Sequence, residues 1–162
     1  HIMIQLLRVD HRLLHGQVAV SWVQGLGSNC IFCVGDKVAN DPVWKTTLKM
    51  GKPAGCKLVI KDMANAIEAI NSGVTDKYKM IICVATIAEA KQLVEGCPQI
   101  KSINLGNTKP KDDKRPDARQ VSRQIFLTAA EEADVREMLS NGVEVEIRPL
   151  ADDPKVDCAS VL

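Results

Sequence analysis

The sequence predicts an α/β protein, a single domain built on an open, mostly parallel sheet of about six to seven strands with helices on both faces. Short apolar runs alternate with helical patterns along the 162 residues, which favours parallel strands joined by right-handed crossovers. The run YKMIICVA is apolar without interruption, as is typical of a strand buried on both faces. Helix-capping signals precede several of the helical patterns.

The first half of the chain contains three strand-and-helix pairs. Strands are predicted at MIQLLRV, CIFCVG and GCKLVIK, and the helical patterns that follow them are HGQVAVSWVQGL, NDPVWKTTLKM and MANAIEAINSG. Gly25 or Gly27 is expected to end the first helix. Asn40 or Asp41 is expected to cap the second, with Pro42 in its first position.

The second half continues the alternation with a polar interruption. YKMIICVA precedes a helix that opens with the capping box Thr86–Glu89, and a strand follows at SINLG. The polar segment NTKPKDDKRPDAR predicts a loop, and VSRQIFL predicts a further strand. Thr128 and Glu131 form a second capping box, whose helix ends at Gly142. The alternation in VEVEIRP predicts a last strand with an exposed face or edge, and one more helical turn is expected in the tail.

Composition limits the classes of function. We interpret residues 1–2 as a cloning scar and residues 3–162 as one domain, which excludes His1 from the site. The net charge of +1 gives no global field that would favour nucleic acid, so no nucleic-acid partner is expected. The apolar runs are too short to span a bilayer.

The six cysteines are interpreted as core residues of a protein in a reducing compartment, the cytosol. Cys30 and Cys33 lie in the predicted strand CIFCVG, where residues three apart face opposite sides of the sheet. The sequence offers no second cysteine pair and no nearby histidine to complete a zinc site, so no metal is expected.

The segment RVDHRLLHGQV, at the end of the first predicted strand, carries the candidate chemistry. Ligands of open parallel sheets collect outside the carboxyl ends of the strands. His15 and Gly16 precede the first helix, where free amides and the helix dipole attract anions. A neutral imidazole is a nucleophile, and the guanidinium groups of Arg8 and Arg12 suit phosphoryl oxygens. These residues are sufficient for a phosphoryl-transfer site.

Other readings of the same segment remain open on spacing alone. In one alternative, His15 is a helix cap or a packed residue. Arg8 and Arg12 are then surface charges that pair with Asp10. The chain lacks a glycine-rich phosphate loop after its first strand, which disfavours a nucleotide-dependent enzyme. No pattern resembles a serine or cysteine triad.

The segment RVDHRLLHGQV resembles the phosphorylation motif of the IIB subunits of the mannose-type sugar phosphotransferase system (PTS), the mannose/fructose/sorbose family. The family pattern is R-[IV]-D-x-R-[LI]-[IL]-H-G-Q-V. Every specified position matches here, from Arg8 to Val18. The resemblance extends to VGDKVANDPVWKTTLKM, LVEGCPQIKSINLGN and VEVEIRPLADDP, which together span nearly the whole chain.

The resemblance implies a phosphocarrier with sugar phosphotransferase activity. A phosphorylated IIA protein, expected here as a separate chain, donates its phosphoryl group to Nδ1 of His15. Phospho-His15 then passes the group to a sugar imported by the membrane subunits IIC and IID. The protein is therefore expected in the cytoplasm, associated peripherally with the membrane through IIC and IID. No cofactor, metal or nucleotide is implied, and the sequence does not identify the sugar.

The resemblance also implies roles for the residues around His15. Arg12 is expected to neutralise charge on the transferred group. Arg8 is expected to do the same or to anchor the surface of IIA. Asp10 is expected either to fix the loop by pairing with an arginine or local amides, or to act in catalysis. Gly16 allows the backbone to approach closely, and Gln17 either binds phosphate or lies on the helix surface.

Residues at other strand ends are expected to line the same cleft. They are Asp36 and Asn40 after the second strand, Thr86 after the fourth, and Asn104 with Gly106 in the fifth. Thr86 is favoured as a helix cap, and the basic run Lys109, Lys111, Lys114 and Arg115 is either a solvated loop or a contact for an acidic partner.

The chain departs from the family pattern at His11, Asn107, Ala85 and Thr86. His11 is expected to tune the site or to compete weakly for phosphate. The alternative to the phosphocarrier is a non-catalytic α/β binding or regulatory module that uses the same cleft.

Overall fold

Strands and helices alternate along the chain in a computed structural model that describes residues 4–14 and 16–162. The strands in this part of the chain are β1 (Ile4–Asp10), β2 (Cys30–Val34), β3 (Lys57–Lys61), β4 (Met80–Val84), β5 (Ser102–Asn107), β6 (Arg119–Ser122), β7 (Ile125–Leu127), β8 (Glu144–Ile147) and β9 (Val156–Asp157). The helices are α1 (Gly16–Leu26), α2 (Asp36–Ala39), α3 (Pro42–Met50), α4 (Met63–Ser72), α5 (Ile87–Gly96) and α6 (Ala129–Ser140), followed by a 3-10 helix (Cys158–Val161).

Seven of the described strands form one sheet in the order β3-β2-β4-β1-β5-β8-β9. The pairs are parallel except the last, in which β9 runs antiparallel to β8. The predicted fold class is confirmed. Because β1 lies between β4 and β5, the carboxyl end of β1 meets those of both neighbours at the same edge of the sheet.

The helices pack on both faces of the sheet in two separate cores. One core joins the sheet to α4, α5 and α6 through residues such as Ala66, Leu93 and Met138. The other joins it to α1 and α3 through Trp22 and Leu48. β2 and β4 are buried throughout their length, as the continuous apolar run predicted.

The cysteines are buried and carry free thiols, as expected. Cys30 packs in the core beneath α4 to α6, whereas Cys33 packs in the core beneath α1 and α3. Burial raises the pKa of Cys30 to about 11, so its thiol stays protonated near neutral pH. The prediction that CIFC is a packing element is confirmed.

The helix signals read from the sequence are formed. Asp41 caps α3, and its Oδ1 accepts the backbone N–H of Trp44 at 3.0 Å. Thr86 and Thr128 each form the predicted capping box. Gly27, with a φ of +65°, follows the last residue of α1.

The prediction of a single strand at residues 121–127 is wrong. These residues are divided between β6 and β7, an antiparallel hairpin outside the main sheet. The hairpin is attached to the end of β5 through Thr108, whose hydroxyl donates to the carbonyl of Phe126 at 2.8 Å. The turn between the two short strands interrupts an apolar pattern that, read alone, resembles one longer strand.

The fold has three smaller features, which lie at α2, at β8 and in the tail of the chain. The short helix α2 was not predicted, and it fills the segment between β2 and α3. β8 was predicted to have an exposed face or edge; its burial alternates along the strand, from exposed Glu144 to buried Val145, and the two residues of β9 cover its outer side. The expected helical turn in the tail is present as the 3-10 helix. No helix in residues 4–14 and 16–162 is long and apolar enough to cross a membrane.

Candidate functional site

A tight turn follows β1 and is organised by the carboxylate of Asp10. Its Oδ1 accepts the backbone N–H of Arg12 at 3.0 Å, and its Oδ2 accepts Nη2 of Arg8 at 3.2 Å. The carbonyl of Asp10 also accepts the N–H of Leu13 at 2.8 Å. Aspartate commonly holds a turn by bonding the amide two residues ahead. The two contacts expected of a loop-fixing Asp10, with an arginine and with a local amide, are both present.

Two buried leucines hold this turn against the protein. Leu13 and Leu14 are each 1 % exposed and pack in the core beneath α1 and α3. Leu13 adopts a left-handed backbone conformation with a φ of +62°, which costs a non-glycine residue about 1–2 kcal/mol. Burial of the side chain and the bonds of Asp10 maintain this conformation. Strain of this kind concentrates at functional sites.

The guanidinium of Arg8 lies inside the protein, behind the turn. Arg8 is 2 % exposed, and its Nη1 donates to Oδ1 of Asn104 at 3.1 Å and to the carbonyl of Arg148 at 3.3 Å. Asn104 is fully buried, and its Nδ2 donates to the same carbonyl at 3.1 Å. Burial lowers the pKa of Arg8, while Asp10 acts in the opposite direction. The structure therefore joins β1, β5 and the end of β8 through one buried cation.

The indole of Trp22 completes this buried group. Its ring lies 5.4 Å from Cζ of Arg8 and 5.1 Å from Cζ of Arg148, within the range of cation–π attraction. Its Nε1 donates to the carbonyl of Pro149 at 3.1 Å. We refer to Arg8, Asp10, Trp22, Asn104 and Arg148 as the Arg8 network.

Gly106 gives the Arg8 network its space. Val9 pairs with Leu105 and Asp10 pairs with Asn107, so Gly106 is the extra residue of a β-bulge. A Cβ at Gly106 would overlap the guanidinium of Arg8. Asn107 continues the strand, and its carbonyl accepts the N–H of His11 at 3.1 Å.

His15 lies outside the described residues, so its predicted role remains a prediction. Arg12 is exposed, and its side chain makes no hydrogen bond or ion pair within residues 4–14 and 16–162. Gly16 has a φ of +62°, and its N–H donates to the carbonyl of Gly51 at 3.1 Å. Gln17 is exposed in the first turn of α1. Arg12, Gly16 and Gln17 are therefore accessible from solvent on either side of His15 in the sequence.

A cleft of about 320 Å³ opens beside this turn, at the carboxyl edge of the sheet. His11 reaches it from the end of β1, Ala85 and Thr86 from the end of β4, and Trp44 from α3. We refer to it as the Trp44 cleft; its walls are completed by Val34, Lys37, Val38, Ile87, Glu89, Thr108, Lys109, Arg115 and Glu131.

The imidazole of His11 lines the Trp44 cleft. Partial burial lowers its pKa below the ordinary value of 6.5. Asp10 raises the pKa, whereas the positive charges of Arg12, Lys109 and Arg115 lower it further. The imidazole is therefore mostly neutral at pH 7.

Arg115 and Glu131 form a fixed pair in the wall of the Trp44 cleft. Nη1 and Nη2 of Arg115 donate to the two carboxylate oxygens of Glu131 at 2.7 and 2.8 Å. The Nε of Arg115 donates to the carbonyl of Lys109 at 3.2 Å. Lys111 and Lys114 are exposed. The predicted basic run is thus a fixed arginine among solvated lysines.

The other predicted site residues occupy different positions. Thr86 lines the cleft as expected and is also a helix cap, as favoured. Asn104 and Gly106 were expected to line the cleft, but both are buried, and Asn104 uses both amide atoms in the Arg8 network. Asp36 accepts the N–H of Met63 at 2.9 Å, and Asn40 donates to the carbonyl of Asp36 at 2.8 Å. Asp36 and Asn40 therefore support the starts of α2 and α4, and neither lines the cleft.

Sequence reasoning missed Arg148, Trp22, Lys37 and Trp44. The rule that polar residues at carboxyl ends of strands mark a site would have found Arg148, which directly follows β8, and Lys37, which follows β2 closely. Trp22 lies within the predicted first helix, but no sequence signal places it against two arginines.

Comparison with known proteins identifies the family. Residues 4–162 match the family model of the PTS system sorbose subfamily IIB component. The chain belongs to this family of IIB components. It is 32% identical over 156 residues to the PTS system sorbose-specific EIIB component of Lacticaseibacillus casei, an alignment that covers 96% of this chain and 93% of that protein.

Two further comparisons agree with membership of the IIB family. The chain is 30% identical over 159 residues to the N-acetylgalactosamine-specific phosphotransferase enzyme IIB component 2 of Escherichia coli strain K12, with 98% of each chain covered. The crystal structure of the IIBSor domain of the sorbose permease from Klebsiella pneumoniae superposes with a TM-score of 0.89 at 25% identity, over 98% of this chain and 95% of that one. This IIB component therefore shares its fold with an experimentally solved IIB domain along nearly its whole length.

Proposed function

We propose that this IIB component is a phosphocarrier that accepts a phosphoryl group on His15 and transfers it to a sugar. The observation that carries the proposal is the motif from Arg8 to Val18, which matches the family at each specified position. Its described residues form the turn at the carboxyl edge of the sheet, where ligands of such folds bind.

The described residues supply three elements that phosphoryl transfer requires. Arg12 presents an exposed guanidinium, unpaired within residues 4–14 and 16–162, to neutralise the oxygens of the group. The bonds of Asp10 fix the turn before the transfer, so little reorganisation is needed. Arg8 acts through Asp10 as a positioning residue, because its guanidinium is buried and already donates a hydrogen bond to the Asp10 carboxylate. That burial does not suit an anchor for the surface of IIA.

The proposed partners follow from family membership. A phosphorylated IIA protein acts as donor, and the membrane subunits IIC and IID present the sugar as acceptor. In the donor step, the bond between phosphorus and the donor imidazole breaks as the bond to Nδ1 of His15 forms. In the second step, the bond between phosphorus and Nδ1 of His15 breaks as a sugar hydroxyl oxygen bonds to phosphorus, and the hydroxyl proton is taken up by the released imidazole. The protein is expected in the cytoplasm, peripherally associated with the membrane through IIC and IID.

A phosphotransfer assay tests the proposal. The wild type, His15→Ala and His11→Ala are incubated with radiolabelled phosphoenolpyruvate, the general phosphotransferase proteins and a cognate IIA. Label is expected on the wild type and on His11→Ala but not on His15→Ala, and it should be stable in base and labile in acid. Label on His15→Ala would overturn the assignment of the carrier. No label on any variant, with the donor shown to be charged, would support a non-catalytic binding module.

A further inference from the structure

The Trp44 cleft lies where the topology of the sheet changes direction. β1 and β4 are neighbours, but α1, which follows β1, packs on one face, and α5, which follows β4, packs on the other. The loops after such strands diverge and leave a crevice between them, which is the usual ligand site of open α/β sheets. His11 and Thr86 lie on its two sides.

One wall of the cleft is suited to a sugar ring. The half-buried indole of Trp44 lies beside the apolar side chains of Val38 and Ile87. An aromatic face combined with a few polar groups is typical of sites that bind small polar molecules. Within the described residues the Nε1 of Trp44 makes no hydrogen bond, so it remains a free donor. The volume of about 320 Å³ suits a ligand of monosaccharide size.

The carboxylate of Glu89 lies at the same wall of the cleft. Oε1 of Glu89 accepts both the N–H and the hydroxyl of Thr86, at 3.1 and 3.0 Å. Oε2 faces Gly35, and the carboxylate also accepts the backbone N–H of Ala85. A sugar hydroxyl is a suitable donor for a carboxylate oxygen.

Besides the carboxylate of Glu89, two positive charges remain in the cleft. Arg115 and Glu131 neutralise each other. Lys37 and Lys109 are exposed and make no ion pair in the part of the chain that the structure describes. Two free ammonium groups at one cleft favour a ligand that carries a phosphate.

We infer that the Trp44 cleft binds a phosphorylated monosaccharide, the product of the proposed transfer. Trp44 and Glu89 contact the sugar ring and its hydroxyls, while Lys37 and Lys109 contact the phosphate. This inference rests on the proposed function, because the ligand is the product of that transfer. The expected affinity is weak, with a Kd of about 1 mM, so that the product leaves readily.

An NMR titration of the ¹⁵N-labelled protein tests the inference. The probes are glucose 6-phosphate, fructose 1-phosphate and N-acetylgalactosamine 6-phosphate, with inorganic phosphate and glucose as partial ligands. At least one sugar phosphate should produce saturable shifts at the amides of Ala85, Thr86 and Thr108, and none at Val143 on the opposite edge of the sheet. Inorganic phosphate and glucose should each bind at least about tenfold more weakly, since each makes only part of the contacts.

Matched variants assign the contacts. The double variant Lys37→Gln/Lys109→Gln should weaken sugar phosphate binding about tenfold or more. Lys111→Gln/Lys114→Gln changes the net charge equally but lies outside the cleft, and it should leave the Kd within about twofold. Trp44→Phe keeps an aromatic face and should bind better than Trp44→Leu. Circular dichroism establishes that each variant is folded.

Several outcomes would overturn the inference. If inorganic phosphate bound as tightly as the sugar phosphates, the cleft would be only an anion site. If the two double lysine variants weakened sugar phosphate binding equally, the attraction would be non-specific. Saturable shifts for none of the three sugar phosphates would remove the site. Labelling of His15 in the assay above, together with no binding here, would overturn this inference alone. Binding without labelling would overturn the proposed function instead.

Discussion

The guanidinium of Arg8 occupies the space that a side chain at position 106 would need. A Cβ at Gly106 would overlap Cζ and both Nη atoms of Arg8. Arg8 cannot withdraw easily, because these nitrogens are bonded to Asp10 and Asn104 in the interior. The bulge at Gly106 and the turn after β1 are therefore parts of one packing arrangement.

Gly106→Ala is expected to destabilise the protein by about 1–3 kcal/mol, the range for overpacking a well-filled interior. Urea unfolding gives the free energy. Ser102→Ala, an exposed position of the same strand, is the control and should stay within about 0.5 kcal/mol of the wild type. A Gly106→Ala variant as stable as this control would show that Arg8 relocates at little cost.

Removal of the charge of Arg8 should affect stability through Asp10. Arg8→Met leaves a carboxylate that is 5 % exposed without its cation, and loss of one partner of a buried pair costs about 3–5 kcal/mol. The double variant Arg8→Met/Asp10→Asn should lose less than the sum of the two single variants, since neither charge then remains unpaired. A double-mutant cycle by urea unfolding measures the coupling.

The surface pair Arg119 and Glu132 provides the comparison for this cycle. Nη2 of Arg119 lies 2.5 Å from Oε1 of Glu132, but the side chain of Arg119 is 50% exposed. A coupling of about 1 kcal/mol or less is therefore expected. If the Arg8–Asp10 coupling were no larger than this, the positioning role proposed for Arg8 would be wrong.

Arg12→Ala is expected to slow phosphorylation of His15 by about two powers of ten, the effect of losing one electrostatic donor. The fold should remain intact, because Asp10 bonds the backbone N–H of Arg12 and the side chain is exposed. Single-turnover transfer from phosphorylated IIA measures the rate. Arg12→Lys should recover part of the loss, whereas Lys111→Ala is the charge-matched control. A rate for Arg12→Ala equal to that of the control would assign Arg12 no part in transfer.

His11 should make stability depend on pH in a defined direction. Its pKa in the folded protein lies below 6.5 because of burial, so the unfolded chain takes up this proton first as the pH falls. Stability supplied by the neutral imidazole is therefore complete above pH 6.5 and decreases as the pH falls towards the folded pKa. The charged groups that contribute are Asp10, which opposes the shift, and Arg12, Lys109 and Arg115, which add to it.

The comparison with His11→Gln measures this effect. The unfolding free energy of the wild type minus that of the variant should be constant above pH 7. Below pH 6.5 the wild type should lose stability relative to the variant. Urea unfolding in a series of buffers provides the curve. A difference that grows in favour of the wild type at low pH would mean that Asp10 stabilises the imidazolium.

The sequence by itself determined the fold class, the caps of α5 and α6, and the assignment of Cys30 and Cys33 to opposite faces, and it limited the cap of α3 to Asn40 or Asp41. These properties depend on local periodicity and on hydrogen bonds between residues a few positions apart. The family motif is also local, since it lies within one strand end and the start of one helix. For this reason it was readable without knowledge of the other strands.

Only the tertiary structure decided what the residues around the motif do. Arg8 and Asn104 are residue types that are typical of phosphate sites. Both are buried, because β1 and β5 pair side by side and Arg148 closes the space between them. The hairpin β6–β7 and the Trp44 cleft likewise depend on segments distant in sequence. Such contacts are fixed by strand order and by the side of the sheet on which each helix packs. Neither leaves a signal within a short stretch of the chain.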